Sequence, residues 1–190
     1  MNLTTAFAAS AEQNASKTAV FWGDSEYSYE RLRTQSCWLA VRLHEDFGVR
    51  PHDRVGLWLK NCPEFISAIF GVLQACGVVV PINNFLKPAE VTYILSDAGA
   101  NVLIAEAVTG DEQAQLAAQL PELKFLKIEE LADAPALPPI EPASANCTES
   151  DLAFIIYTSG TTGRPKGAML SHGNLLCNVA SCRQVLEAVA

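Results

Sequence analysis

Apolar and polar positions along this chain switch repeatedly between a helical and a strand period. After an opening helix, Thr18 to Trp22 and Glu26 to Ser28 flank Gly23-Asp24 and read as a short β-hairpin. Ser28 stands at a helix-cap position, and Leu32, Leu39, Ala40, Leu43 and Phe47 then build one apolar face, with Gly48 at the left-handed stop. Arg54 to Leu59 reads as a strand. Asn61 is placed to cap the next helix and Pro63 suits its first turn, while Phe65, Ile66, Ile69, Phe70, Val72 and Leu73 leave it almost no polar face, which predicts burial. Gly77 is expected to end that helix. Val78-Val79-Val80 follows as a β-branched strand of the kind covered on both sides. The alternation continues with a helix from about Pro88 to Ser96, a strand at Asn101 to Ala105, a helix near Asp111 to Gln119 and a strand at Phe125 to Ile128.

This order predicts an α/β fold: a mostly parallel sheet with helices on both faces. The character changes at 131–150, where Pro135, Pro138, Pro139 and Pro142 stand among Ala, Glu and Ser as in a connector. The chain therefore divides into an α/β subdomain at 1–130, a connector at 131–150, and 151–190. That last part holds an apolar strand from Leu152 to Ile156, a Gly/Thr/Ser-rich loop, a short strand around Ala168 to Leu170 and a helix from about Gly173, the truncated start of a second subdomain. No stop signal follows Leu186, so the end reads as a cut.

Composition narrows the class. With 190 residues, 49% apolar and 18% charged, the chain has the material for a packed core. A net charge of −8 repels polyanions at long range and argues against a nucleic-acid partner, though a small anion needs only a local patch. Met1 to Ser16 has no base and no continuous apolar run, and Phe65 to Ile82 is interrupted by Ser67, Gly71, Gln74, Gly77 and Pro81; neither a leader nor an integral membrane segment is expected, and a cytoplasmic location is. Cys37, Cys62, Cys76, Cys147, Cys177 and Cys182 form no C-x-x-C pair and have no histidine at zinc-finger spacing, so no metal site is expected and buried free thiols are.

The segment richest in chemistry is Tyr157-Thr158-Ser159-Gly160-Thr161-Thr162-Gly163-Arg164-Pro165-Lys166-Gly167. Its glycines let backbone approach a ligand, the hydroxyls of Thr158, Ser159, Thr161 and Thr162 donate hydrogen bonds, and Lys166 adds a mobile charge, which together make a phosphate cradle. Charge distribution agrees independently. Leu152 to Leu186 contains no Asp or Glu but holds Arg164, Lys166 and Arg183, whereas Glu106 to Asp151 has ten acids against Lys124 and Lys127. A Walker A loop is excluded, because it needs Gly where Pro165 stands and a hydroxyl where Gly167 stands. Ser159 lacks the glycine two positions earlier that a nucleophile elbow requires, so it reads as a phosphate donor. The bland alternative for the whole segment is a hydrophilic hairpin loop.

This loop resembles the signature of the adenylate-forming superfamily of acyl-CoA synthetases, luciferases and peptide-synthetase adenylation domains. Tyr27-Ser28-Tyr29-Glu30-Arg31-Leu32 is similar to that family's first core motif, and Leu73 to Asn83 to its second. Ala168-Met169-Leu170-Ser171-His172-Gly173-Asn174 looks more like the acyl-CoA synthetases. The resemblance implies the N-terminal part of an acyl-CoA synthetase acting on a carboxylic acid, in particular a fatty acid. ATP would be its nucleotide, Mg2+ would be held by ligands outside this chain, and coenzyme A would be the co-substrate. A carboxylate would attack the α-phosphate of ATP, and the coenzyme A thiol would then displace AMP. Thr158, Ser159, Gly160, Thr161, Thr162, Gly163 and Lys166 would bind the phosphates, with His172 and Arg164 as further candidates and no catalytic residue within the chain. The later acidic motif, ribose aspartate, hinge and lid lysine have no counterpart here, so the chain is expected to need the rest of its own chain for turnover. An amino- or aryl-acid ligase and a non-catalytic phosphate-binding or interaction module are the alternatives. His172 reads equally as a cap or packing residue, His44 and His52 as surface residues, and Trp22, Trp38 and Trp58 as core.

Overall fold

The parallel strands at 54–58, 78–82 and 100–105 are each followed by a helix that returns the chain across the sheet, which sets the architecture. The computed structural model describes residues 1–106, 110–132, 134–135, 147–158 and 164–185. In chain order these form α1 (Leu3–Gln13), β1 (Thr18–Trp22), β2 (Ser25–Ser28), α2 (Tyr29–Glu45), β3 (Arg54–Trp58), α3 (Pro63–Gln74), β4 (Val78–Ile82), α4 (Pro88–Ala98), β5 (Ala100–Ala105), α5 (Gly110–Gln119), β6 (Lys124–Lys127), a 3-10 turn (Ile128–Leu131), β7 (Leu152–Thr158), β8 (Lys166–Ser171) and α6 (His172–Val185). Strands β1 and β2 pair as the expected hairpin, with Gly23 at φ +56 in its turn. Among the described residues the other strands form one sheet in the order β6-β5-β3-β4-β7-β8, parallel except for the β7–β8 hairpin.

The sheet order dictates the layers. From β3 the chain crosses one way to β4 and then back past β3 to β5, so right-handed crossovers put α3 on one face and α4 and α5 on the other. Side-chain alternation follows: Val79 joins Val55, Leu57, Leu39 and Val72 under α2 and α3, while Val78, Val80 and Ile82 join Val91, Leu95 and Leu116 under α4 and α5. All three valines of β4 are at most 1% exposed, as their β-branched run predicts.

Several local expectations shift. Helix α3 is capped at Cys62 rather than Asn61, because Pro63 occupies the first helical position. The left-handed residue after it is Cys76 (φ 57), not Gly77. The Gly77 N–H reaches Val72 O at 2.9 Å and the Cys76 N–H reaches Leu73 O at 3.1 Å, a Schellman close in which Gly77 serves instead for tight approach. A Cβ on Gly77 would lie 3.1 Å from Val72 O and 3.3 Å from Asp53 O. Helix α3 buries the small or polar residues Ser67, Ala68 and Gly71 along with Val72 and Leu73, while Phe65, Ile66, Ile69 and Phe70 are only half-buried. The reason is α2, which packs so closely that a Cβ on Gly71 would stand 2.8 Å from Leu39 Cβ. A buried polar thread runs through the same contact. Ser67 Oγ donates to Gln35 Oε1 at 2.8 Å and Gln35 Nε2 donates to Leu131 O at 3.0 Å, tying α2 to α3 and the 3-10 turn.

Trp38 and Trp58 are half-buried and pack against the core on either side of the sheet, whereas Trp22, 49% exposed on the small hairpin, is not the core residue its apolar character suggested. All six cysteines are free, but only Cys76 is buried; Cys177 and Cys182 lie on the outer side of α6. Burial and contact with Cys76 push the Cys147 thiol up to about 12, which keeps it protonated and a poor nucleophile. No described helix is long and apolar enough to cross a membrane.

Candidate phosphate-binding site

Strand β7 runs parallel to β4 beside Val79, so its C-terminal end emerges at the sheet edge where all the parallel strands finish. That edge is where open α/β sheets receive ligands. The hairpin then brings both ends of the loop together: Tyr157 pairs with Gly167 and Thr158 with Lys166 across the β7–β8 ladder. Thr158 and Lys166 are both exposed at this mouth, and among the described residues no carboxylate pairs with Lys166. Ser159, Gly160, Thr161, Thr162 and Gly163 lie outside the described residues. The Arg164 guanidinium is exposed and sits 5.7 Å from the Tyr93 ring centroid.

Gly167 explains why the loop cannot follow the Walker pattern. A Cβ there would stand 2.6 Å from Ile155 Cγ2 and 3.2 Å from Tyr157 Cζ, so no serine or threonine fits where that pattern needs a hydroxyl.

His172 is 2% exposed and faces away from solvent at the start of α6. Its Nδ1 accepts the Leu3 N–H at 3.3 Å, which joins α6 to α1 and requires that nitrogen to be unprotonated. The capping role falls to Ser171. Its Oγ accepts the Asn174 N–H at 3.2 Å while Asn174 Oδ1 accepts the Ser171 N–H at 3.0 Å, a reciprocal capping box. Burial lowers the His172 pKa below its ordinary 6.5, and Asp151 opposes that shift only in part. Because the folded value is depressed, the stabilisation from neutral His172 is complete above about pH 6.5 and is lost as pH falls through the folded pKa. The melting temperature is expected to fall between pH 7.5 and 5.5, and His172→Gln to flatten that slope; an unchanged slope in a thermal melt series would contradict it.

Tyr93 and Asp97 were not legible as loop partners in the sequence. Tyr93 Oη donates to Pro165 O at 3.2 Å, and the Tyr157 hydroxyl donates to Asp97 Oδ2 at 2.5 Å.

With that geometry in view, comparison with known proteins is specific at the family level. A family model described as "AMP-binding enzyme" matches residues 7–189. The chain belongs to that family of adenylate-forming enzymes. Over 170 residues it is 38% identical to a feruloyl-CoA synthase of Amycolatopsis sp, covering 88% of this chain and 33% of that protein. It is 35% identical over 186 residues to surfactin synthase subunit 1 of Bacillus subtilis (strain 168), covering 98% of this chain and 5% of that one. The chain thus spans a third or less of the length of these relatives. The fold matches the O-succinylbenzoate coenzyme A synthetase of Bacillus subtilis solved with AMP, at a TM-score of 0.83 and 22% identity over 100% of this chain and 47% of that one.

Proposed function

We propose that this chain holds the polyphosphate of ATP on the loop Thr158, Ser159, Gly160, Thr161, Thr162, Gly163 and Lys166, for activation of a carboxylic acid as its adenylate. The observation that carries this reading is the hairpin mouth. It opens at the C-terminal edge of the sheet, presents Thr158 and Lys166 opposite each other, and belongs to a segment, 152–186, free of Asp and Glu. Bound ATP supplies an electrophilic α-phosphate with pyrophosphate as leaving group. Lys166 and the loop hydroxyls and N–H groups hold the β- and γ-phosphates and offset the charge that gathers there as the bond breaks. Arg164, held beside the mouth, tunes the local field, and His172 supports the following helix. Among the described residues no group of three or more His, Cys, Asp and Glu side chains gathers to hold a metal, and Mg2+ would be held by ligands outside this chain. Residues 1–130 serve as the α/β scaffold, 131–150 connect, and 151–190 carry the loop hairpin and the helix that opens the next subdomain.

In the intact enzyme, coenzyme A is the proposed acceptor, as supported by the acyl-CoA-synthetase character of Ala168 to Asn174 and by the likeness to a feruloyl-CoA synthase. A fatty acid is the substrate that the resemblance to acyl-CoA synthetases implies. An amino or aryl acid is the second reading, and the likeness to a feruloyl-CoA synthase favours the aryl acid. Titration of the isotope-labelled chain with inorganic pyrophosphate and with ATP tests the phosphate reading. Amide shifts concentrated at Thr158 to Gly167 are expected, and a response spread elsewhere or absent would reject it.

A further inference from the structure

The base of the loop is held from outside the hairpin. Among the described residues, the only ladder pair between β7 and β4 is Val79 with Phe154, so beyond that point Ile155 to Thr158 have β8 as their strand partner. Cross-strand bonds to β8 keep the two strands together, and among the described residues no ladder pair with β4 follows Phe154 to fix their tip from that side. Helix α4 supplies what the ladder does not. Tyr93 and Asp97 lie one turn apart on the same face of α4. The Tyr93 hydroxyl donates to Pro165 O at 3.2 Å, on the residue that leads into Lys166 and β8, and Asp97 Oδ2 accepts from the Tyr157 hydroxyl at 2.5 Å, on the strand that ends at Thr158. Each side of the mouth therefore has its own tether. The Tyr157 ring reaches α4 by lying over Gly167, which has no side chain to displace it. Burial, and then the Asp97 carboxylate, push the Tyr157 phenol well above its ordinary range, so it stays a donor. Tyr93 also carries the Arg164 guanidinium over its ring, which keeps that cation to one flank.

We infer that Tyr93 and Asp97 are positioning residues for phosphate binding, with α4 as the brace that sets where Thr158 and Lys166 point. The inference rests on the phosphate reading above and deepens it. Charge provides the discriminating test, because Asp97 is a carboxylate beside a site for anions. If it acts by position, Asp97→Ala weakens binding although it removes a repulsive charge, while Asp97→Asn keeps an acceptor for Tyr157 and restores binding. If it acts by charge alone, both variants bind more tightly.

The experiment titrates inorganic pyrophosphate into the chain and its Tyr93→Phe, Asp97→Ala and Asp97→Asn variants, following amide shifts, amide hydrogen exchange and melting temperature. A single hydrogen bond predicts a three- to tenfold rise in Kd, approximately, for Tyr93→Phe and Asp97→Ala. Exchange at Lys166 and Gly167 should quicken while that of Val55 and Val79 in the sheet is unchanged. Asp97→Asn should bind within about twofold of the unaltered chain or more tightly. Equal or tighter binding by Asp97→Ala overturns the positioning role and leaves the phosphate reading standing. Failure of the unaltered chain to bind pyrophosphate overturns the phosphate reading, and this inference with it.

Discussion

Lys166→Ala is expected to weaken pyrophosphate binding by at least about tenfold, the cost of losing one hydrogen bond to a charged group. Lys166 is the cation at the mouth itself, exposed, opposite Thr158, and without a carboxylate partner among the described residues. Its charge is therefore not already offset by a fold-supporting ion pair, and its removal should leave the melting temperature within about two degrees, as for most exposed substitutions. Lys166→Arg should recover part of the affinity, since it keeps the charge but places a planar fork where a point charge stood. Isothermal titration of the variants decides the matter. Affinity retained by Lys166→Ala would move the binding group elsewhere, with Arg164 as the first residue to test.

Gly71→Val is expected to destabilise the fold by about 3 kcal/mol, the upper range for overpacking a close helix contact. Space is missing on the side of Leu39. A Cβ at this position would lie 2.7 Å from Leu39 Cδ2, 2.8 Å from Leu39 Cβ and 2.9 Å from Leu39 Cγ. A methyl end could rotate away, but Leu39 Cβ is bonded to the α2 backbone, so relief requires the helices to part. Parting them would also stretch the buried Ser67 to Gln35 hydrogen bond and expose Leu39, Val72 and Leu73, which are completely buried. For a chain of this size the melting temperature should drop by roughly 6 to 12 °C. Leu39→Ala in the same background should return part of that loss by making room, whereas alone it should destabilise by about 2 to 5 kcal/mol through its cavity. Additive losses in the double variant would show that the two residues do not share the contact.

Much of the site was legible because its chemistry is contiguous. Three glycines, four hydroxyls and a lysine within Tyr157 to Gly167 speak for a phosphate ligand without any knowledge of the fold, and the acid-free window around them strengthens it. Tyr93 and Asp97 were illegible because the residues they meet are 72 and 60 positions away. In the sequence they are two among several polar positions of α4, beside Glu90, Thr92 and Ser96, which is also what a solvated face looks like. Similarly, Gln35 and Ser67 read as ordinary polar positions until α2 and α3 meet. His172 was open between a cap, a packing residue and a ligand, and its Nδ1 contact with Leu3 N supports packing between α6 and α1.

Local pattern alone determined the succession of strands and helices, the buried β-branched strand at Val78 to Val80, the serine cap before α2 and the composition of the loop. These depend on periodicity and on side chains interacting within a turn or two, which travel with the sequence. Tertiary structure decided where the loop faces and what steadies it. Strand order put β7 beside β4, crossover handedness put α4 on the loop's side, and the missing Cβ of Gly167 let Tyr157 reach Asp97. Such choices come from long-range packing, in which a residue's role depends on a partner that chain order does not reveal.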